Sequence, residues 1–361
     1  MGHPPTASLR AGLPPAPRFA HPRFPVRPCQ KTASAMTKTH RVTLLSSFAV
    51  AACLALAAGS AAQTINEYDK IVASDGVAGD ALGSAVAIDG DVVMAGAPNS
   101  DGSGSSSGSA YRFATSTGLQ LFKFAVGGVA NDFFGSSVAV SGATAIIGTP
   151  GDDGAGSFPN SGAAWLFNVT TGLSKGRIRA NDRDAGEQFG ASVGISGSNA
   201  IVGAWADDHN GPGSGSAYLF DVTTIGLQIA KFLPTDGSGN DRFGWSVAIS
   251  GTTVIVGAWG DDDNGSESGS AYLFDVSTGL QIAKLLPSDG AAADYFGRAV
   301  AISGTTAIIG AYGDDDNGSQ SGSAYLFDTT TGLQIAKLLP ADGSVDDLFG
   351  ASVAISGNTA I

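Results

Sequence analysis

From about residue 63 onward the chain is a succession of short apolar runs joined by polar, glycine-bearing turns. In one stretch, Ser246–Ser250 (SVAIS) and Thr253–Ala258 (TVIVGA) flank a tight turn at Ser250-Gly251. The glycine supplies the positive φ that a two-residue hairpin needs. Residues 270–276 (SAYLFDV) alternate small and large side chains, and residues 280–286 (LQIAKLL) follow a Ser-Thr-Gly turn. Pro287 ends that run, because proline cannot donate to a strand ladder. No window carries an apolar face at helical spacing for three turns. The pattern predicts four short antiparallel strands and almost no helix.

This four-strand unit recurs in phase. A glycine preceded by Leu or Phe stands at Gly83, Gly135, Gly190, Gly244, Gly297 and Gly350, with spacings of 52–55 residues. Further on in each unit come Gly96-Ala97-Pro98, Gly148-Thr149-Pro150, Gly203-Ala204-Trp205, Gly257-Ala258-Trp259 and Gly310-Ala311-Tyr312. A Ser-Gly-Ser-Ala-Tyr-Leu-Phe block at 268–274 and 321–327 keeps the same phase, as does Thr-Gly-Leu-Gln at 278–281 and 331–334. Four antiparallel strands per period of about 40–55 residues mark a β-propeller blade, whereas solenoid coils are shorter. The small, apolar first and second strands suit positions covered on both faces by neighbouring blades. The expected fold is all-β: a propeller of four-stranded antiparallel blades, five complete units plus a truncated sixth, spanning 63–361. Residues 65–75 align with the fourth-strand stretch 280–289, predicting that the propeller opens on a fourth strand. The chain stops at Ile361, inside the second strand of the sixth unit. It therefore reads as part of a larger parent protein whose ring closes by pairing the opening strand with a C-terminal one.

Composition narrows the class. Of 361 residues, 43% are hydrophobic, 14% are charged and 52 are glycine without a G-X-Y period. That is neither collagen nor a disordered chain. The net charge of −13 is uneven: residues 1–62 hold seven basic residues and no acid, leaving 12 basic against 32 acidic residues beyond, a net of −20. Such a balance disfavours a nucleic-acid or anionic-membrane partner, and favours cations.

The basic start contains an export signal at 36–62. Lys38 and Arg41 precede an apolar stretch at 42–58, and Ser60-Ala61-Ala62 places small residues before a cut between Ala62 and Gln63. The apolar run is short for a membrane anchor. Residues 1–35, rich in Pro and Arg, read as a disordered upstream extension. Val50-Ala51-Ala52-Cys53 also fits a lipoprotein cleavage box, though the apolar run continues past it. Both cysteines, Cys29 and Cys53, precede the cut, so the mature chain has no disulfide or thiolate chemistry. The expected location is extracellular or at the cell surface.

The phased Phe-Gly and Gly-Ala-aromatic or Gly-Ala-Pro steps, clearest in Phe243-Gly244…Gly257-Ala258-Trp259, resemble the FG-GAP repeats of integrin alpha-subunit propellers and bacterial surface proteins. The resemblance covers 63–361. It implies a propeller, usually of seven blades, used for extracellular adhesion or ligand binding. One departure matters. Integrin-type repeats carry calcium in a loop between the first and second strands, and here that connection is only Ser250-Gly251, or Asp89-Gly90 in the first unit. The family's calcium residues do not transfer.

Acids cluster instead between the second and third strands: Asp152-Asp153, Asp207-Asp208, Asp261-Asp262-Asp263-Asn264 and Asp314-Asp315-Asp316-Asn317. In an up-and-down blade these loops share a face with the connections between blades, which carry Asp241 and Asp294 three residues before their landmark glycines. Two readings stand open. Carboxylates from two loops, with amide and carbonyl oxygens, can supply the six to eight oxygens of a Ca²⁺ site; Asp before Gly is also an ordinary turn former. Trp205, Trp259 and Tyr312 likewise admit stacking on a glycan or capping of the blade core. A catalytic centre has little support: beyond the leader the chain has one histidine, His209, three scattered glutamates and no G-x-S-x-G elbow. The expected function is a non-catalytic binding or adhesion module for an extracellular protein or polysaccharide. A structural spacer of the cell envelope or matrix, or a polysaccharide-active propeller enzyme, are the alternatives.

Overall fold

A computed structural model describes residues 70–361 apart from residues 155–157 and 225. The expected extension, export signal and Ala62–Gln63 cut lie outside the described residues. So does the first part of the expected opening strand, and its described remainder, 70–75, forms no strand.

Five four-stranded antiparallel sheets follow one another, each with its strands in chain order, and a two-stranded sheet begins a sixth. Blade 4 is representative: Ser246–Ser250, Thr253–Ala258, Ser270–Asp275 and Gln281–Leu285. The expected strands recur within a residue at nearly every end. Blades 1, 2, 3 and 5 begin at Val86–Asp89, Val138–Ser141, Ser192–Ser196 and Ala299–Ser303. No described residue is helical. The partial sixth blade holds Ile355–Ser356 and Thr359–Ala360.

Consecutive sheets bury one another as propeller blades do, whereas the first strand of blade 1 stays open, with Val86 and Ile88 exposed. One core cluster joins Ile201, Leu219 and Phe232 of blade 3 to Val247, Val254, Tyr272 and Phe274 of blade 4. The next joins Ile255, Leu273 and Leu285 of blade 4 to Val300, Ile309 and Phe327 of blade 5. First strands of successive blades lie side by side. The landmark phenylalanines drive this packing. Phe134, Phe189, Phe243 and Phe296 are fully buried, and Phe243 meets Tyr272 edge-on at 5.5 Å between ring centroids. Burying a phenylalanine is worth about 1.5–3 kcal/mol.

The glycines of the motif are steric. A Cβ on Gly257 would lie 1.8 Å from the Gly297 carbonyl oxygen of the next blade, and Gly297 itself has φ +90°. Blades approach at that point as closely as two backbones can. The same contact orders the loops: Gly269, between the second and third strands of blade 4, forms a parallel bridge with Phe296 of the following connection. Equivalent bridges join Gly108 to Phe134, Gly162 to Phe189, Gly215 to Phe243 and Gly322 to Phe349. The second-to-third-strand loops and the inter-blade connections therefore share one rim, as the strand order implies.

Candidate binding rim

The acidic loops of this rim are organised by lysine. In blade 4, Lys284 on the outer strand reaches Asp236 at 2.8 Å, Asp261 at 2.9 Å and Asp263 at 2.7 Å. The Tyr272 hydroxyl donates to Asp261 at 2.9 Å and to Asp236 at 3.1 Å. Blade 5 repeats the arrangement with Lys337 on Asp289, Asp314 and Asp316 at 2.8, 2.7 and 2.6 Å. In blade 3, Lys231 reaches Asp182 and Asp207 at 2.8 and 3.0 Å. In blade 2, Arg177 and Arg179 hold Asp152. The second acid of each run closes its own loop: Asp262 Oδ1 accepts from Glu267 N, Asp208 Oδ1 from Gly213 N, Asp315 Oδ1 from Gln320 N and Asp153 Oδ1 from Asn160 N. Backbone N–H groups of Asn264 and Asn317 donate to Ser268 and Ser321.

These residues do not fit Ca²⁺. The point where carboxylates of two loops converge holds an ammonium or a guanidinium from the same blade. Among the described residues no three acidic, histidine or cysteine side chains come together as a metal cage. The cation that the acidic composition invites is supplied by the outer strand. Burial opposes ionisation of Asp207, yet hydrogen bonds from Tyr218 and Lys231 outweigh it and hold the carboxyl below its ordinary range. Asp314 is lowered in the same way, with Lys337 as the chief counterweight.

Asp241 and Asp294, expected on the rim, lie beneath it. Each is about 5% exposed, accepting from Ser238 N at 2.6 Å and from Ala291 N at 2.7 Å. Burial pushes both carboxyls up to about 6. They brace the connections between blades.

The aromatics do come together. Trp205, Trp259 and Tyr312, all half-buried, belong to a ladder that also contains Trp245 and Tyr295. Neighbouring ring centroids are 5.2 Å apart for Trp205–Trp245, 5.6 Å for Trp245–Trp259, 5.6 Å for Trp259–Tyr295 and 5.0 Å for the stacked Tyr295–Tyr312 pair. Two guanidiniums interleave. Arg242 stands over Trp205 and Trp259 at 5.1 and 4.9 Å, and Arg298 over Trp245 and Tyr312 at 5.1 and 4.9 Å. Trp245, Tyr295, Arg242 and Arg298 were not among the expected residues, because they flank the Phe-Gly step rather than form a run of their own. The signal was there: these flanking positions vary between units whose strands hardly change. In blades 1 and 2 the Trp205 position is Pro98 or Pro150, so the ladder is confined to blades 3–5.

A sequence model of the FG-GAP repeat matches this chain six times, at residues 65–113, 124–167, 174–220, 227–274, 280–327 and 333–361. A search of the curated proteins finds no match. Many solved chains match this one in structure. Among them is the crystal structure of the computationally designed Ika8 protein, similar with TM-score 0.47 and 14% identity over 76% of this chain and 66% of that one. Among the described residues no helix is long and apolar enough to cross a membrane.

Proposed function

We propose, from the premise that this chain belongs to the FG-GAP repeat family, that it is an exported, non-catalytic binding module presenting its loop rim to an extracellular ligand. The observation that carries this reading is the ladder of five aromatic rings and two arginines across blades 3–5. Rings of that kind offer stacking faces for sugars and amphipathic contact area for proteins. Guanidiniums held over rings by about 0.5–2 kcal/mol each keep their N–H edges available for hydroxyl or carboxylate oxygens. A polysaccharide fits both features best. The leader at 36–62 and the extracellular habit of the family support export.

The test is intrinsic tryptophan fluorescence of the 63–361 chain during titration with a panel of soluble neutral and uronate polysaccharides. The expected result is saturable quenching by at least one of them, weakened about tenfold or more by Trp205→Ala or Arg298→Ala. Absence of any response, with Trp205 and Trp259 fully shielded from acrylamide, would leave the ladder as a core cap and favour the spacer reading.

A further inference from the structure

Blades 4 and 5 exchange two side chains about the same landmark. Blade 4 reads Arg242-Phe243-Gly244-Trp245 and blade 5 reads Tyr295-Phe296-Gly297-Arg298, whereas blades 2 and 3 place Phe133 and Ser136, or Gln188 and Ala191, at the flanking positions. Despite the exchange, each boundary between these blades receives a guanidinium set against rings of both. Arg242 lies over Trp205 of blade 3 and Trp259 of blade 4 at 5.1 and 4.9 Å. Arg298 lies over Trp245 of blade 4 and Tyr312 of blade 5 at 5.1 and 4.9 Å, with Trp259 at 5.9 Å.

These two arginines stand apart from the other cations of the rim. Arg177, Arg179, Lys231, Lys284 and Lys337 are each held by an aspartate. Among the described residues, Arg242 and Arg298 pair with no carboxylate, and the hydrogen bond they make runs from Arg298 Nη1 to the Tyr312 hydroxyl at 3.4 Å. Their nitrogens are nevertheless open. Arg112, Arg179 and Arg183 each bury an unpartnered Nε, but no unpartnered nitrogen of Arg242 or Arg298 is buried, so their free N–H groups face solvent. Both stand in a chain that carries a net of −20 beyond residue 62, where a cation that finds no acid of its own is the exception.

A guanidinium set between rings spends its faces on them and keeps its planar N–H edge for a ligand. That edge matches a carboxylate or a sulfate through two parallel, charge-assisted hydrogen bonds, which are roughly twice as strong as the neutral bonds a sugar hydroxyl would make. We propose that the ladder selects an acidic polysaccharide, whose recurring carboxylate or sulfate groups dock on Arg242 and Arg298 at successive blade boundaries. The proposal rests on the rim reading above and names its ligand class. Elsewhere the acid-rich chain repels a polyanion, so the two arginines are its foothold on this rim. Glu267 also reaches the ladder, at the Tyr295 hydroxyl, which burial and this carboxylate raise; it makes no ion pair with Arg298.

The experiment is titration of the chain, read by tryptophan fluorescence and calorimetry, with two matched pairs: polygalacturonate against its methyl ester, and dextran sulfate against dextran. Poly-L-glutamate is the protein-like polyanion. At least one charged glycan should bind saturably, about tenfold or more tighter than its uncharged counterpart. Polygalacturonate alone assigns the site to carboxylate, dextran sulfate alone to sulfate, and both to either oxyanion. Arg242→Gln and Arg298→Gln should each weaken that binding about tenfold and leave any neutral glycan within about twofold. Arg242→Lys keeps a cation over the rings without the planar fork and should fall between. Near-UV circular dichroism shows whether a glutamine variant has lost the ring stack, in which case the lysine variant decides. Equal affinity for charged and uncharged partners, or variants that hold the polyanion as the wild type does, would overturn this proposal and leave the rim reading standing. Poly-L-glutamate binding without any charged glycan would overturn it in favour of an acidic protein. No response to any glycan would overturn both readings together.

Discussion

Replacing Lys284 by Met tests whether the lysine is the structural cation of the acidic rim. The side chain is 15% exposed and pairs with three carboxylates, of which Asp261 is 6% exposed while Asp236 and Asp263 are about half exposed. Pairs with the two exposed acids are worth under about 1 kcal/mol each. The pair with Asp261 differs in kind: removing one partner of a buried ion pair leaves an uncompensated charge and costs about 3–5 kcal/mol. Methionine keeps the packing of the aliphatic stem on Tyr272, over which the ammonium sits at 5.3 Å. Urea unfolding of the 63–361 chain near pH 7 should therefore lose about 3–5 kcal/mol. Adding Asp261→Asn to Lys284→Met should recover more than half, since the orphan charge is gone. Calcium should stabilise the single variant, where three carboxylates are vacated, and leave the wild type unmoved. A cost below about 1 kcal/mol, no recovery in the double variant, or wild-type melting curves that separate with calcium and chelator would refute the lysine-for-calcium reasoning.

Stability should peak on the acid side of neutrality. Glu187, Asp241 and Asp294 are raised to about 7, 6 and 6 by burial. The folded chain binds their protons more tightly than the unfolded one does, and stability rises as pH falls from about 8 to about 5. Asp152, Asp207, Asp236 and Asp314 are held low; what they contribute is present above about 3.9 and is lost as pH falls through their lowered values. Urea midpoints between about pH 3 and 9 check the curve, and Glu187→Gln should lift its alkaline limb, because the buried carboxyl no longer has to ionise; a maximum near pH 8 is the contrary result. Gly257→Ala should cost about 3 kcal/mol or more, because the new methyl meets the Gly297 carbonyl at 1.8 Å. Gly279→Ala, with φ +72° and open space around it, should cost only about 1 kcal/mol, and equal losses would mean the blades do not touch at the motif.

The strands were legible because they are local. Ser246–Ser250 and Thr253–Ala258 were readable from alternation and turn chemistry alone, and their recurrence in phase made five blades readable from one. The rim was legible only as composition. Its acids stand out as runs, but their partners lie far along the chain: Lys284 is 48 residues from Asp236 and 21 from Asp263, inside a strand that reads as QIAKLL. Nothing in that strand announces that its lysine turns back under the loops. The carboxylates alone left calcium and turn chemistry both open, because the nitrogen that pairs with them comes from a distant strand. The ladder hid for a similar reason. Trp205 and Trp259 end second strands, whereas Trp245 and Tyr295 flank the next blade's Phe-Gly step, and only the close approach of blades makes them neighbours.

Repetition itself tells which residues are free to carry function. Positions such as Gly257, Phe243 and Tyr272 answer to contacts that every blade must make, so a change there is answered in stability. The residues flanking Phe-Gly, and the third acid of the loop, answer to no such contact: Arg242, Tyr295 and Leu348 all occupy the same left-handed backbone site, with φ of 58°, 56° and 54°. The backbone there is strained in every unit by about 1–3 kcal/mol, yet the side chain is unconstrained. In blades 3–5 that freedom builds the ring ladder, and at His209 it removes one carboxylate and leaves Lys231 with two partners. A single unit cannot reveal either feature, because each is a difference between copies. Binding chemistry in this fold is thus written in departures from the repeat, and the recurring Phe-Gly frame holds those departures in fixed order along the rim.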